Sequence, residues 1–186
     1  MTSSDKTTLT LRDMGADDLP LVTAWLHEPH VARWYLAGST VEREIDELRQ
    51  CIAGEQPGRV LTILERDRPI GWCQWYLCRD YRDHAAAIGA EPDDIGIDYA
   101  IGDPARAGDG LGTELIGVLV ATVRAERPAA GLVADPEAAN IASRRVLEKN
   151  GFKLIHERPV ASEPTDAVMA IYRLAPPQTS RVPLAG

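Results

Sequence analysis

The apolar positions of this chain change period in a regular order. Thr7 to Arg12 alternates and predicts a strand, while Asp17 to Leu26 carries Leu19, Val22 and Leu26 at helical spacing behind acidic residues able to cap a first turn. After Pro29, Val31 to Tyr35 sets Trp34 and Tyr35 side by side. Val41, Ile45, Leu48 and Ile52 then mark a second helix over Val41 to Ala53. Arg59 to Glu65 and Pro69 to Leu77 flank the polar Arg66-Asp67-Arg68 and predict a hairpin, with Trp72, Gln74 and Tyr76 on one face of its second strand and Cys73 and Trp75 on the other. Arg79 to Asp94 is mixed in character and predicts a loop with room for one helical turn.

Ile95 to Ile101 predicts a strand and Leu111 to Arg124 an amphipathic helix. A short strand over Ala130 to Ala134 and a helix from Asn140 to Gly151 follow. Lys153 to Pro159 and Ala167 to Leu174 predict two final strands joined by a turn over Ser162 to Asp166. Met1 to Lys6 is polar and expected to fray, and Ala175 to Gly186, with three prolines and no periodicity, is expected to be a disordered tail. The result is one α/β domain over residues 7–174, in the order β-α-α-β-β-β-α-β-α-β-β.

Composition narrows the function classes. A chain of 186 residues with 45% hydrophobic and 26% charged side chains suits one globular domain with a sizeable core. A formal charge of −8 argues against nucleic acid and admits a cationic partner. Three cysteines form no even framework, and no run resembles a signal peptide or membrane span, so a reduced cytoplasmic protein is expected. Cys73 and Cys78 lack a second pair, and His27 and His30 flank Pro29 without a carboxylate at ligand spacing, so no metal site is expected.

The candidate chemistry begins where the Ile95–Ile101 strand hands over to the next helix. Gly108, Gly110 and Gly112 lie at that junction, where glycine lets backbone approach a ligand and the new helix offers free N–H groups and a positive dipole end. No lysine follows as in a Walker loop, and the Rossmann spacing does not fit. The ligand expected is a phosphorylated cofactor. On a period of two, Ile95, Ile97, Tyr99 and Ile101 share one face of the strand, and Asp98 stands on the other between Gly96 and Ala100. A carboxylate in an apolar strand is costly to bury without a task or a partner, which makes Asp98 the leading catalytic candidate. Trp34 and Tyr35 suit a stacking surface or the core, and Gln74 a site wall or an exposed sheet face.

Two segments resemble the GCN5-related N-acetyltransferases (GNAT): Arg106 to Glu114, R-A-G-D-G-L-G-T-E, and Asn140 to Phe152, N-I-A-S-R-R-V-L-E-K-N-G-F. Further matches resemble the aminoglycoside 6′-N-acetyltransferases of the Ib type: Trp25 to Tyr35, the I-G-W-C-Q-W-Y strand, G-I-D at Gly96 to Asp98, and D-P leading from Asp135 to Asn140. The resemblance implies the GNAT fold, a mixed sheet with splayed strands, and acetyl-CoA as cosubstrate without a metal. Arg106, Gly108, Asp109, Gly110, Leu111, Gly112 and Thr113 would then hold the diphosphate, Tyr99, Ala100 and Ile101 the pantetheine, and Asn140 its amide end. It also implies Asp98 as base or amine-orienting group, with Asp83 and Asp135 joining Trp34, Tyr35 and Gln74 around a cationic aminoglycoside, in a monomer or homodimer. The family's tyrosine before Glu148 is here Leu147, with Tyr172 a possible replacement as general acid. Acetylation of a hydroxylysine-type siderophore precursor or another small amine, or acetyl-CoA binding without catalysis, are the alternatives.

Overall fold

The computed structural model describes residues 9–161 and 167–177. Within them, strands β1 (Leu9–Asp13), β2 (Arg59–Glu65), β3 (Arg68–Leu77), β4 (Ile95–Ile101), β5 (Leu132–Ala134), β6 (Lys153–Pro159) and β7 (Val168–Leu174) form one sheet in the order β1-β2-β3-β4-β5-β7-β6. Neighbours are antiparallel except β4 and β5, which run parallel. Helices α1 (Leu19–Leu26), α2 (Pro29–Tyr35), α3 (Val41–Ala53) and α4 (Arg82–Ile88) cover one face, and α5 (Leu111–Glu126) and α6 (Ile141–Lys149) the other.

The period-two alternation sorts side chains between these layers. Ile95, Ile97, Leu132, Ala134, Ala170 and Tyr172 pack with Leu115, Leu119 and Leu147 of α5 and α6. On the opposite face Val60, Trp72 and Ala100 pack under α1 to α3, and Val133, Met169 and Ile171 pack with Ala85 and Ile88 of α4. The hairpin closes through Arg66 and Asp67, both at positive φ (49° and 66°), the mirror-image turn whose twist suits adjoining strands. Thr40 caps α3 by accepting from the Arg43 N–H at 3.3 Å, and Asn140 caps α6 by accepting from the Ser143 N–H at 3.1 Å.

Two short helices enlarge the expected order. Pro29 opens α2 instead of merely breaking the chain, because proline suits a first helical turn where its missing N–H has no partner. The segment expected as a loop holds α4, in which Ala85 and Ile88 are buried three residues apart and Gly89 ends the helix at φ 72°. Seven residues are too few for periodicity to declare either helix. The predicted N-terminal fray, Thr7 and Thr8, the turn over Ser162 to Asp166 and the tail beyond residue 177 lie outside the described residues. Among the described residues no helix is long and apolar enough to cross a membrane.

At Gly71 of β3 a Cβ would stand 2.2 Å from the Ala100 carbonyl oxygen and 3.0 Å from Ile101 Cα of β4. Both are backbone atoms and cannot swing aside. Gly71→Ala should therefore lower unfolding free energy by about 1–3 kcal/mol in a urea titration, the usual range for overpacking; an unchanged midpoint would contradict this packing.

Candidate active site

The sheet is open between β4 and β5. All seven residues of β4 pair with β3, yet only Ile95 and Gly96 pair with β5, opposite Leu132 and Val133. Beyond β5 the chain stays with β7, the Pro136 carbonyl accepting from the Ala170 N–H at 2.8 Å and the Ala138 N–H donating to the Val168 carbonyl at 2.7 Å, while it diverges from β4. A cavity of about 540 Å³ occupies the resulting gap. Its walls include Gln74 and Asp98 from one face and Ile97 and Tyr99 from the other, so it passes through the sheet.

The glycine loop stands at the N-terminus of α5. Gly108 and Gly110 have φ of 90° and 80°, and a Cβ on either would meet no atom within 4 Å, so bare backbone faces open space there. Gly112 packs tightly, its Cβ position lying 3.1 Å from Val146 of α6. These features fit a diphosphate at a helix N-terminus. Other predicted contacts are already engaged. The Thr113 N–H turns back to the Gly110 carbonyl at 3.2 Å, and Leu111 is buried in the core. Arg106 donates to Glu65 at 2.8 Å and to Asp109 at 2.5 Å, so this arginine and Asp109 brace the base of the loop.

The pantetheine candidates separate in the same way. Tyr99 and Asn140 line the cavity, whereas the Ala100 side chain packs under α1 to α3 and the Ile101 carbonyl lies 3.0 Å from His30 Nε2. His30 thus ties α2 to the end of β4. Tyr172 does not replace the missing tyrosine. It is fully buried on the α5/α6 side of the sheet, donates to Glu148 at 2.6 Å, accepts from Arg144 at 3.2 Å and is absent from the cavity wall. Leu147 is equally buried in that core.

On the face of the sheet under α1 to α4, Asp98 accepts a hydrogen bond from Gln74 Nε2 at 2.9 Å. Burial raises its pKa above the usual carboxylate value; the Gln74 bond opposes this, the Asp135 carboxylate adds to it, and His84 counters it. Trp34 and Tyr35 both line the cavity: Arg33 lies over the Trp34 ring at 4.4 Å, and Tyr35 packs on Trp72 with ring centroids 5.1 Å apart. Asp135 faces His84, with Oδ2 and Nε2 3.3 Å apart. Asp83 is exposed on α4 and stands outside the wall, because the helix turns its neighbour His84 inward instead.

Sequence reasoning missed His84 together with Glu44, Glu47, Tyr76, Tyr81 and Glu137, all on the wall. Glu44, Glu47 and Cys51 recur at helical spacing beside the apolar stripe of α3, a signal available from a full helical projection. Burial is also the largest cause raising the Glu44 pKa.

A parallel strand pair that parts over a cavity, with a glycine loop at the next helix N-terminus and a half-buried carboxylate opposite, suits an acyltransferase for coenzyme A thioesters. The sequence profile of the acetyltransferase (GNAT) domain matches residues 15–160. Aminoglycoside N(6′)-acetyltransferase type 1 of Klebsiella pneumoniae is 27% identical over 150 residues, 78% of this chain and 74% of that protein. Lysine N-acyltransferase MbtK of Mycobacterium tuberculosis is 35% identical over 172 residues, 91% of this chain and 79% of that protein. The solved structure of AAC(6′)-Ib in complex with paromomycin and acetyl-CoA shares the fold at TM-score 0.73 and 22% identity, over 90% of this chain and 93% of that one. The chain belongs to the GNAT family and is an acetyl-CoA-dependent N-acetyltransferase.

The burial of Asp98 predicts a stability signature. A carboxyl whose folded pKa exceeds its unfolded value near 3.8 binds its proton more tightly when folded, so stability falls as pH rises through the folded pKa. Asp98→Asn removes the charge and keeps an oxygen for Gln74. The free variant should melt at a higher temperature than its parent at pH 7, and the difference should vanish below pH 3.8. Equal melting at both pH values would show that Asp98 bears no burial penalty.

Proposed function

We propose that the acceptor is an aminoglycoside, acetylated directly on its 6′-amine. The observation that carries this reading is the acidity of the cavity around Asp98. Among the described residues its wall holds the carboxylates of Glu44, Glu47, Asp98, Asp135 and Glu137 against one guanidinium, that of Arg43. Such a wall attracts a polycation and excludes anions. Trp34 and Tyr35 offer rings to an amino sugar, and the Klebsiella relative bears the name of this activity.

The chemistry follows from the residues. Asp98 holds the 6′-ammonium, and its raised pKa brings it nearer to that of a base effective at neutral pH. The amine, once neutral, is already aligned with the thioester carbonyl in the β4/β5 opening, so proximity lowers much of the barrier. Unpaired backbone N–H groups on the diverging part of β4 suit the developing oxyanion. The bound acetyl-CoA supplies the activated acyl group, and its cellular supply favours a cytoplasmic site of action.

A second reading has its own support. The 35% identity with a lysine N-acyltransferase over 91% of this chain favours a lysine-like side-chain amine. One experiment separates the two: thiol release from acetyl-CoA with kanamycin, with an aminoglycoside bearing a 6′-hydroxyl, and with lysine and N6-hydroxylysine. The proposal expects turnover with kanamycin alone, reduced on the order of 10²-fold or more in kcat by Asp98→Asn, with acetyl-CoA affinity retained. Turnover with the lysine compounds and silence with kanamycin would select the second reading.

A further inference from the structure

Two hydroxyl groups in the cavity take no part in acceptor recognition as described above. Tyr99 leaves β4 on the α5/α6 side, beyond the point where β4 and β5 part, and its Oη lies 2.6 Å from Oγ of Ser143 in the first turn of α6. Both residues line the cavity. Asp98, the preceding residue, leaves the strand on the opposite face, toward Gln74. The opening through the sheet therefore has a carboxylate on one side and a hydroxyl pair on the other.

Proton bookkeeping shows what the pair can offer. Two hydroxyls carry two protons, and their mutual hydrogen bond uses one. The other nearby acceptor, the Ser143 carbonyl, is 3.4 Å from Tyr99 Oη, too long to hold the second proton against a charged acceptor. That weak bond can yield one O–H to a charged acceptor in the cavity. Burial, partly offset by the Ser143 bond, pushes the Tyr99 phenol up to about 12, so the pair stays protonated at neutral and mildly alkaline pH.

Acyl transfer to an amine separates charge across this opening. The C–N bond forms with the nitrogen lone pair, the C–S bond breaks with its electrons moving to sulfur, and the nitrogen proton passes to Asp98. We propose that Tyr99 and Ser143 together form the thiolate-stabilising site, donating one hydrogen bond to the departing sulfur while Asp98 manages the amine proton on the other face. The phenol is a weaker acid than an ordinary thiol, whose pKa is about 8.5, so the pair keeps its proton. Sulfur leaves as a stabilised thiolate and is protonated by solvent on release. The inference concerns the donor half of the reaction and is independent of which amine is acetylated.

The test uses coenzyme A itself, bound without an acceptor. The ultraviolet thiolate absorbance of the complex is titrated with pH against the complex with desulfo-coenzyme A. The expected result is a bound-thiol pKa about one unit below that of free coenzyme A, returned to the free value by both Tyr99→Phe and Ser143→Ala and retained in Ser143→Thr. With acetyl-CoA, both hydroxyl deletions should lower kcat roughly tenfold or more and leave the KM for acetyl-CoA within about twofold. A bound-thiol pKa equal to that of free coenzyme A, or one unmoved by these substitutions, overturns the proposal and leaves the pair as a tie between β4 and α6. Should Tyr99→Phe fail to fold, the contrast between Ser143→Ala and Ser143→Thr decides alone.

Discussion

The site depends on the divergence of two strands that begin as neighbours. β5 has three residues and pairs with β4 along one edge and with β7 along the other. Beyond it the Pro136 carbonyl and the Glu137–Met169 bridge hold the chain to β7, while the pairing with β4 stops at Gly96. The outer edge of β4 is thereby left without a neighbouring strand after Gly96, in the middle of a sheet covered on both faces. Unpaired backbone groups in such a place call for a hydrogen-bonding ligand. An extended chain of amides, as in pantetheine, can supply what a further strand would have supplied.

Electrostatics at the opening run against stability. Asp98 is desolvated, sits near Asp135 in charge terms and is compensated by one amide and one imidazole. The surrounding wall adds further carboxylates, and Glu44 too is raised by burial. Like charges held in a low-dielectric cleft repel one another, and a multiply charged cation relieves several of these repulsions at once. The same desolvation that costs the free protein also makes Asp98 more basic. Destabilisation and the basicity that the proposed role of Asp98 requires thus share one cause.

The sequence made legible what recurs over distance. The alternation of Ile95, Ile97, Tyr99 and Ile101 against Asp98 was readable because a strand's period is short and seven residues sample it fully. The glycine loop, the α5 helix and the Asn140 cap were readable because each carries a local backbone demand. The acceptor wall was less so. Whether Asp83 or His84 faces inward depends on α4 being a helix, and in a loop reading the direction of either side chain is undetermined. Glu44 and Glu47 share a face of α3 beside its apolar stripe, but the helix alone does not reveal that Gln74, Tyr76 and Tyr81 line the same cavity. The role of Tyr172 was unreadable for a similar reason: its hydroxyl is held by Arg144 and Glu148, both brought to it by the packing of α6.

This difference in legibility has a physical counterpart in how the two halves of the site are built. The donor half rests on the sheet backbone, the long helix α5 and the α5/α6 core, where a change of one side chain disturbs close packing on several sides. The other half is walled in part by α3 and α4, whose inward residues Glu44, Glu47 and His84 are not part of the buried core. Substitution there alters charge and shape with small effects on stability. One donor half can therefore serve many amines, in keeping with relatives named for an aminoglycoside and for lysine that align over most of the same chain. Fold and thioester chemistry follow from the family, whereas acceptor choice has to be argued from the charges that line this particular wall.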